Sequence, residues 1–168
     1  YSPRRASTDG ERDSKMEAMA NTAARSGSLD EYLLEQWRVL ELPDPIRIAG
    51  EAIIEHLEED GYLRTRMEEV ADSRRPPVSL DSLEEALRIV QHLDPTGCGA
   101  RDWQECLLLQ IDELPGDNSI ERVLIQNHLS DLEKNRFPAI MKATGFSLGE
   151  IQEALKVIRT HLTLHPGY

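Results

Sequence analysis

Residues 90–110 read VQHLDPTGCGARDWQECLLLQ. Asp94-Pro95 predicts the end of one helix, because proline lacks the amide hydrogen that a continuing helix needs. Gly97 and Gly99 follow in a tight loop and favour backbone angles that other residues avoid. Asp102, or a residue beside it, predicts the start of the next helix, since an aspartate side chain can accept from the unpaired amides of a first turn. The stretch therefore predicts two helices joined by a short, defined loop.

Apolar residues recur at helical spacing on both sides of this loop. Ser79 predicts the start of the preceding helix, whose apolar face carries Leu80, Leu83, Leu87, Val90 and Leu93. The following helix carries Trp103, Leu107, Ile111 and Leu114 on one face, and the turn at 114–118 ends it.

Three further helices are predicted before position 79. Ser28–Glu31 is a capping box, in which serine and glutamate satisfy each other's backbone amides, and its helix carries Leu29, Leu33, Trp37 and Leu40. Asp44-Pro45 predicts a restart, with Asp44 as the cap and Pro45 at the first helical position, and Asp60-Gly61 predicts that helix's end. Thr65–Glu68 is a second capping box, which opens a short helix to about Ala71.

The pattern continues to the end of the chain. Ser119 predicts a helix with Ile120, Val123, Leu124 and Leu132 on its apolar face. Phe137-Pro138 begins a short helix that ends at Thr144-Gly145, and Ser147–Glu150 is a third capping box. Residues 138–162 thus have a helix-turn-helix-like outline.

The fold class predicted is all-α, with about eight short helices in two packed helical subdomains, the second with the helix-turn-helix-like outline. The loop at 73–79 and the turn at 114–118 are candidate subdomain boundaries, and we favour the turn. Residues 1–27 are rich in Ser, Ala, Arg and Asp, so we predict a disordered linker or tail there and a folded domain over 28–168. Because the chain starts with Tyr1, we expect a piece of a longer protein.

Charge narrows the classes of partner. The net charge is −12 and the pI about 4.8, which disfavours strong binding to DNA or anionic lipid. Residues 29–60 hold ten acids and two bases, and form either a solvated face or a surface for a basic partner. No apolar run approaches a membrane span, and no secretory signal follows Arg4 and Arg5.

No pattern of residues points to catalysis, a cofactor or a metal. Cys98 and Cys106 fit no common metal spacing, and we expect reduced thiols, with Cys106 buried among leucines. His161 and His165 are one helical turn apart, but no third ligand accompanies them. The sequence therefore predicts a non-catalytic module with no cofactor.

Two functions without catalysis stay open from the residues alone. A DNA-binding regulator would place basic or amide side chains on the first turns of its second helix, where this chain has Leu148, Gly149, Glu150 and Gln152. Helices packed against each other are the better interpretation of 138–162, because Glu150 would meet phosphate repulsion. A helical protein-protein adaptor fits the acidic, non-catalytic composition as well.

Three stretches resemble the sigma-54 family, the RpoN-type or enhancer-dependent sigma factors. The first runs from Leu29 to Leu63 and ends in Glu59-Asp60-Gly61-Tyr62-Leu63. The most specific is residues 90–110, for which the family's pattern reads close to LDPxGVGARDLQECLLLQL. The third runs from His128 to Ile158 and closes on His165-Pro166-Gly167. Cys98 and Trp103 depart from the family's usual valine and leucine, and we interpret both as packing variants.

The resemblance implies a sigma factor in bacterial transcription initiation. Its middle region would bind core RNA polymerase through the beta and beta-prime subunits. Promoter DNA would be bound by a region absent from this chain, and an AAA+ activator would act on the complex indirectly. We expect a cytoplasmic monomer that does not bind membranes; an anti-sigma or adaptor module is disfavoured only by the motif match.

The expected docking residues lie in the loop and the start of its helix. They are Asp94, Gly97, Gly99, Arg101, Asp102 and Gln104. Each also has a structural interpretation: the aspartates would cap helices, the glycines would satisfy backbone angles, and Arg101 would pair with a carboxylate.

Overall fold

The computed structural model describes residues 28–168, and α-helices form all of their regular structure. The nine helices of this part are α1 Leu29–Arg38, α2 Asp44–Glu55, α3 Met67–Asp72, α4 Leu80–Val90, α5 Trp103–Glu113, α6 Ser119–Asn127, α7 Leu129–Glu133, α8 Phe137–Thr144 and α9 Leu148–His161. The all-α prediction is confirmed, and the count is close to the eight expected. The linker predicted at 1–27 lies outside the described residues.

Side-chain caps begin four helices where the sequence predicts them. Ser28, Ser79, Asp102 and Ser147 each accept a hydrogen bond from the backbone amide three residues later. At Ser147 the capping box is complete, because the Glu150 carboxylate accepts from the Ser147 amide at 3.0 Å. The four helix starts predicted from a short polar residue before an apolar stripe are therefore confirmed.

A first hydrophobic cluster lies among α1–α4. Helix α2 packs most extensively on α4, α1 lies on α2, and α3 contacts both α2 and α4. Trp37 is fully buried here, as predicted, and its indole nitrogen donates to the Arg47 carbonyl at 3.0 Å. Its ring lies directly on the α2 backbone at Gly50, where a Cβ would be 1.9 Å from the ring. Gly50 therefore allows α1 and α2 to approach closely.

A second hydrophobic cluster lies among α5–α9. Helix α5 packs on α6, while α9 packs on both α6 and α8. The two clusters divide between Cys98 and Leu107, so α5 belongs to the second. A subdomain boundary at 114–118 stays a prediction. A small third cluster of Tyr62, Ala100 and Cys106 lies beside this division.

The predicted bounds of α2 were wrong at both ends. Pro43, with ψ 146°, is the residue before the helix, so Asp44 lies in the first turn and does not cap it. The helix ends at Glu55 rather than at Asp60-Gly61. Gly61 does adopt a positive φ of 96°, but in a later turn closed by the hydrogen bond from its amide to the Glu58 carbonyl.

The capping box predicted at Thr65 was also wrong. Helix α3 begins at Met67, and Arg66 precedes it without a side-chain cap. Long-range pairing explains the delay, because the Leu63 amide donates to the Ala100 carbonyl at 3.0 Å. This bond keeps the chain extended just before α3, and local sequence does not report it.

The helix predicted from Ser119 through Leu132 is two helices. Helix α6 ends at Asn127, and Leu132 belongs to α7. At this break the Gln104 side chain donates to the carbonyls of Ile125 at 3.3 Å and Gln126 at 2.6 Å. Those carbonyls would otherwise accept from the amides of a continuing helix, so Gln104 stabilises the interruption.

Candidate functional site

The motif loop, residues 94–104, connects the two large clusters. Its backbone pairs with the turn after α2: the Gly99 amide donates to the Gly61 carbonyl at 2.8 Å, next to the Leu63–Ala100 bond. Gln91 reinforces the pairing by donating to the Gly99 carbonyl at 3.2 Å. The loop is therefore held as a fixed segment of the junction.

Gly97 and Gly99 take the backbone angles that the sequence predicts. Their φ values are +103° and +87°, and both residues are buried. A Cβ at Gly97 would be 3.1 Å from the Cys106 Sγ, and one at Gly99 would be 3.2 Å from Leu87. These glycines therefore shape the loop.

Asp94 binds α1 rather than capping a helix, so the predicted structural role was wrong. The Gln36 side chain accepts from the Asp94 amide at 2.9 Å and donates to the Asp94 carbonyl at 2.6 Å. The Tyr32 hydroxyl donates to the Asp94 carboxylate. Asp94 thereby fastens the start of the loop to α1.

Arg101 and Asp102 are exposed at the start of α5. Asp102 caps α5 as predicted, because its carboxylate accepts from the Glu105 amide at 2.8 Å. The Arg101 guanidinium donates to the Leu63 carbonyl at 3.1 Å, so the predicted pairing with a carboxylate was wrong. Its backbone amide donates to the Glu105 carboxylate at 2.7 Å. The exposed guanidinium is thus held in place through one of its nitrogens.

The loop groove, a shallow depression of about 430 Å³ along α5, brings three of the six predicted residues together. Its lining consists of Arg101, Asp102, Gln104, Glu105, Leu108, Leu109 and Asp112. Asp94, Gly97 and Gly99 do not line it. The structure therefore separates the predicted set into three residues on a surface and three that fix the loop behind it.

Sequence reasoning missed the C-terminal strap, residues 163–167, which crosses the same junction. The Gln110 side chain donates to the Thr163 carbonyl at 2.7 Å and accepts from the Thr163 amide at 2.8 Å. Pro166 is buried between Gly61 and Gly97, and the Gly167 amide donates to the Asp60 carbonyl at 3.0 Å. No local pattern in the sequence reveals that Pro166-Gly167 has this distant partner.

Charges near the strap are paired, and the thiols are shielded. Arg64 donates to the Asp60 carboxylate at 2.9 Å and holds the pKa of Asp60 below its usual range.

Burial raises the pKa of Cys98 to about 12, and it also raises the pKa of Cys106. Both cysteines are free and buried, which confirms the predicted packing of Cys106. The Tyr62 hydroxyl is buried beside the Cys106 thiol, without a well-formed hydrogen bond among the described residues.

Within residues 28–168, no three His, Cys, Asp or Glu side chains are grouped in a way that could hold a metal ion. In the same range, no helix combines the length and the apolar character needed to cross a membrane.

The helices and the fastened loop define an all-α domain with two hydrophobic clusters and a structured junction. The chain belongs to the sigma-54 factor family, because the family model described as "Sigma-54 factor, core binding domain" matches residues 18–168. This confirms the family that the motif resemblance predicted.

Relatives from several bacteria carry the name RNA polymerase sigma-54 factor. The chain is 34% identical to that of Shewanella violacea over 148 residues, which is 84% of this chain and 30% of the relative. It is 33% identical to that of Pseudomonas aeruginosa over 145 residues, which is 83% of this chain and 28% of the relative. With that of Bacillus subtilis the identity is 36% over 114 residues, 68% of this chain and 25% of the relative. The chain thus spans less than a third of the length of these curated relatives.

Proposed function

We propose that this chain is the region of a bacterial sigma-54 factor that binds core RNA polymerase, acting in the cytoplasm as a non-catalytic monomer. The observation that carries the proposal is the core-binding-domain match over residues 18–168. The partners would be the beta and beta-prime subunits, with promoter DNA bound by another region of the factor and an AAA+ activator acting indirectly. Through this docking, the chain supports activator-controlled promoter recognition.

The motif loop is the proposed docking site. Arg101, Asp102 and Gln104 would contact polymerase, since they line the loop groove at the start of α5. Asp94, Gly97 and Gly99 would act behind them by fixing the loop. Asp94 does so through its hydrogen bonds to Gln36 of α1, and the two glycines do so through their positive φ angles. Polar groups on a pre-organised loop lose little conformational entropy on binding, which favours affinity.

Charge supports docking to a basic surface. The net charge of −12 would steer encounters with such a surface and set their dependence on salt. A DNA-binding regulator is less well supported, because Glu150 stands on the first turn of α9 and is part of its capping box.

The test is competition between this chain and a full-length sigma-54 factor for core polymerase, at low and at physiological salt. We expect saturable displacement that weakens with salt. Arg101→Ala should weaken it by about tenfold, the cost of losing one well-placed polar anchor. The matched control is Arg88→Ala, since Arg88 is also exposed and forms no ion pair among the described residues. A folded chain that does not displace the factor at about 100 µM would contradict the proposal.

A further inference from the structure

The α9 groove, a second depression of about 400 Å³, opens between the start of α5 and the C-terminal half of α9. Eight of its ten lining residues are apolar, among them Trp103, Leu129, Leu132 and Leu162. It shares no residue with the loop groove. An open groove with an almost wholly apolar floor suits apolar side chains of a protein partner.

Trp103 forms part of this groove and is 48% exposed. The sequence predicts that Cys98 and Trp103, the two departures from the family pattern, are both packing residues. Cys98 is fully buried, whereas Trp103 is not. An exposed tryptophan beside an apolar groove is typical of the residues that dominate protein-protein binding energy.

One end of the groove is basic, in contrast to the acidic chain. A neighbouring depression of about 500 Å³ shares Leu155 and Arg159 with it and adds Lys156. Lys156 and Arg159 are exposed, and neither forms an ion pair among the described residues. Glu133 is the acidic residue among the linings of these two depressions, and Arg159 and Lys156 outnumber it. The unpaired cations therefore complement a partner that carries carboxylates.

We propose that the α9 groove binds an amphipathic helix from another protein. The apolar face of this helix would enter the groove beside Trp103, and its flanking carboxylates would meet Arg159 and Lys156. A helix suits the site because residues at i, i+3, i+4 and i+7 can fill a groove along α9 as a row of anchors. The proposal goes beyond the polymerase docking proposed above, and its test requires no polymerase.

The apolar floor favours this occupant over the alternatives. A nucleic acid would place phosphates against leucine side chains, where the charged groups would lose water without gaining a partner. A second copy of this chain would have to offer an exposed amphipathic helix face. The apolar faces of α1 and α4 are instead buried in the first cluster, at Leu33, Trp37, Leu83 and Val90.

The test uses the intact chain and a fluorescein-labelled synthetic peptide of about four helical turns, with leucines on one face and glutamates on the others. We expect saturable binding by anisotropy, together with a change in tryptophan emission. The change in emission reports mainly on Trp103, because the fully buried Trp37 does not contact a peptide at the surface. Trp103→Ala should weaken binding at least about tenfold, and Arg159→Glu should weaken it about three- to tenfold. Arg88→Glu, the matched control, should leave it unchanged.

Four outcomes would overturn the proposal. They are absence of saturable binding to the folded chain at about 100 µM peptide, equal binding of the same peptide with lysines in place of glutamates, preferential binding of an oligothymidylate, and a concentration-dependent dimer in sedimentation that buries Trp103. Circular dichroism of both variants verifies that weaker binding does not result from unfolding.

Discussion

Gly167 is the position where a single methyl group should release the C-terminal strap. A Cβ placed there would lie 2.3 Å from the Glu59 carbonyl oxygen, 2.7 Å from the Asp60 carbonyl carbon and 2.8 Å from the Gly61 amide nitrogen. All three atoms are backbone, so no side chain can rotate away to make room. In Gly167→Ala the strap has to move off the turn.

The expected cost follows from what the strap loses. Moving it breaks the Gly167–Asp60 hydrogen bond of 3.0 Å, worth about 1 kcal/mol. It also exposes part of the buried Pro166 ring, at about 25 cal/mol for each Å² of apolar surface. If the strap stays and the turn deforms instead, overpacking costs about 1–3 kcal/mol. Both routes predict a loss of about 1–3 kcal/mol in the free energy of unfolding.

Urea denaturation followed by circular dichroism measures this loss, and Gly149→Ala is the matched control. A Cβ at Gly149 would meet only the Ser147 hydroxyl, at 3.9 Å, within helix α9. Alanine there should stabilise the protein by up to about 1 kcal/mol through helix propensity. Hydrogen exchange at the amides of Thr163 and Gly167 should quicken in Gly167→Ala. Unchanged exchange and an unchanged midpoint would refute the packing of the strap described above.

Three further predictions concern the core, the junction charge and the thiols. Gly50→Ala should lower the free energy of unfolding by more than about 3 kcal/mol or prevent folding, because the new Cβ would overlap the Trp37 ring at 1.9 Å. A midpoint of urea unfolding near that of the parent protein would contradict this. Arg64→Gln should destabilise the protein at pH 7 but not at about pH 2. Because the pKa of Asp60 is lowered in the folded state, its carboxylate contributes stability at pH values above its ordinary pKa of 3.8, and this stability is lost as the pH falls through the lowered pKa. An equal loss of stability at both pH values would exclude this origin. The two free cysteines should react slowly with a disulfide reagent until urea unfolds the chain, because burial raises their pKa values and blocks access; fast reaction of the folded chain would contradict their burial.

The helix starts that were predicted most accurately from the sequence are those that depend only on neighbouring residues. Ser79, Asp102 and Ser147 cap helices as predicted, because a cap needs only a short polar side chain and the amide three residues later. The stop predicted at Asp94-Pro95 lies too late, because α4 ends at Val90, although Pro95 is outside every described helix. These features fix the order of the elements and the position of the motif loop.

The features that sequence missed depend on distant partners. Thr65 fails as a cap because Leu63 pairs with Ala100, and Leu132 lies outside α6, where Gln104 takes the carbonyls at the break. The strap depends on Gln110, fifty-three residues before Thr163. Hydrophobic periodicity reports the face that a helix buries, but not which distant amide or carbonyl its neighbours will engage.

These distant contacts explain why the motif is both structural and exposed. The buried residues of the loop use their backbone groups to join the turn after α2, through Gly99 and Ala100. Arg101 extends that junction by donating to Leu63, yet its side chain stays exposed beside Asp102. The orientation of this exposed pair therefore depends on the same hydrogen bonds that join the two clusters. A substitution that loosens the junction should therefore weaken the proposed docking to polymerase without changing Arg101 or Asp102 themselves.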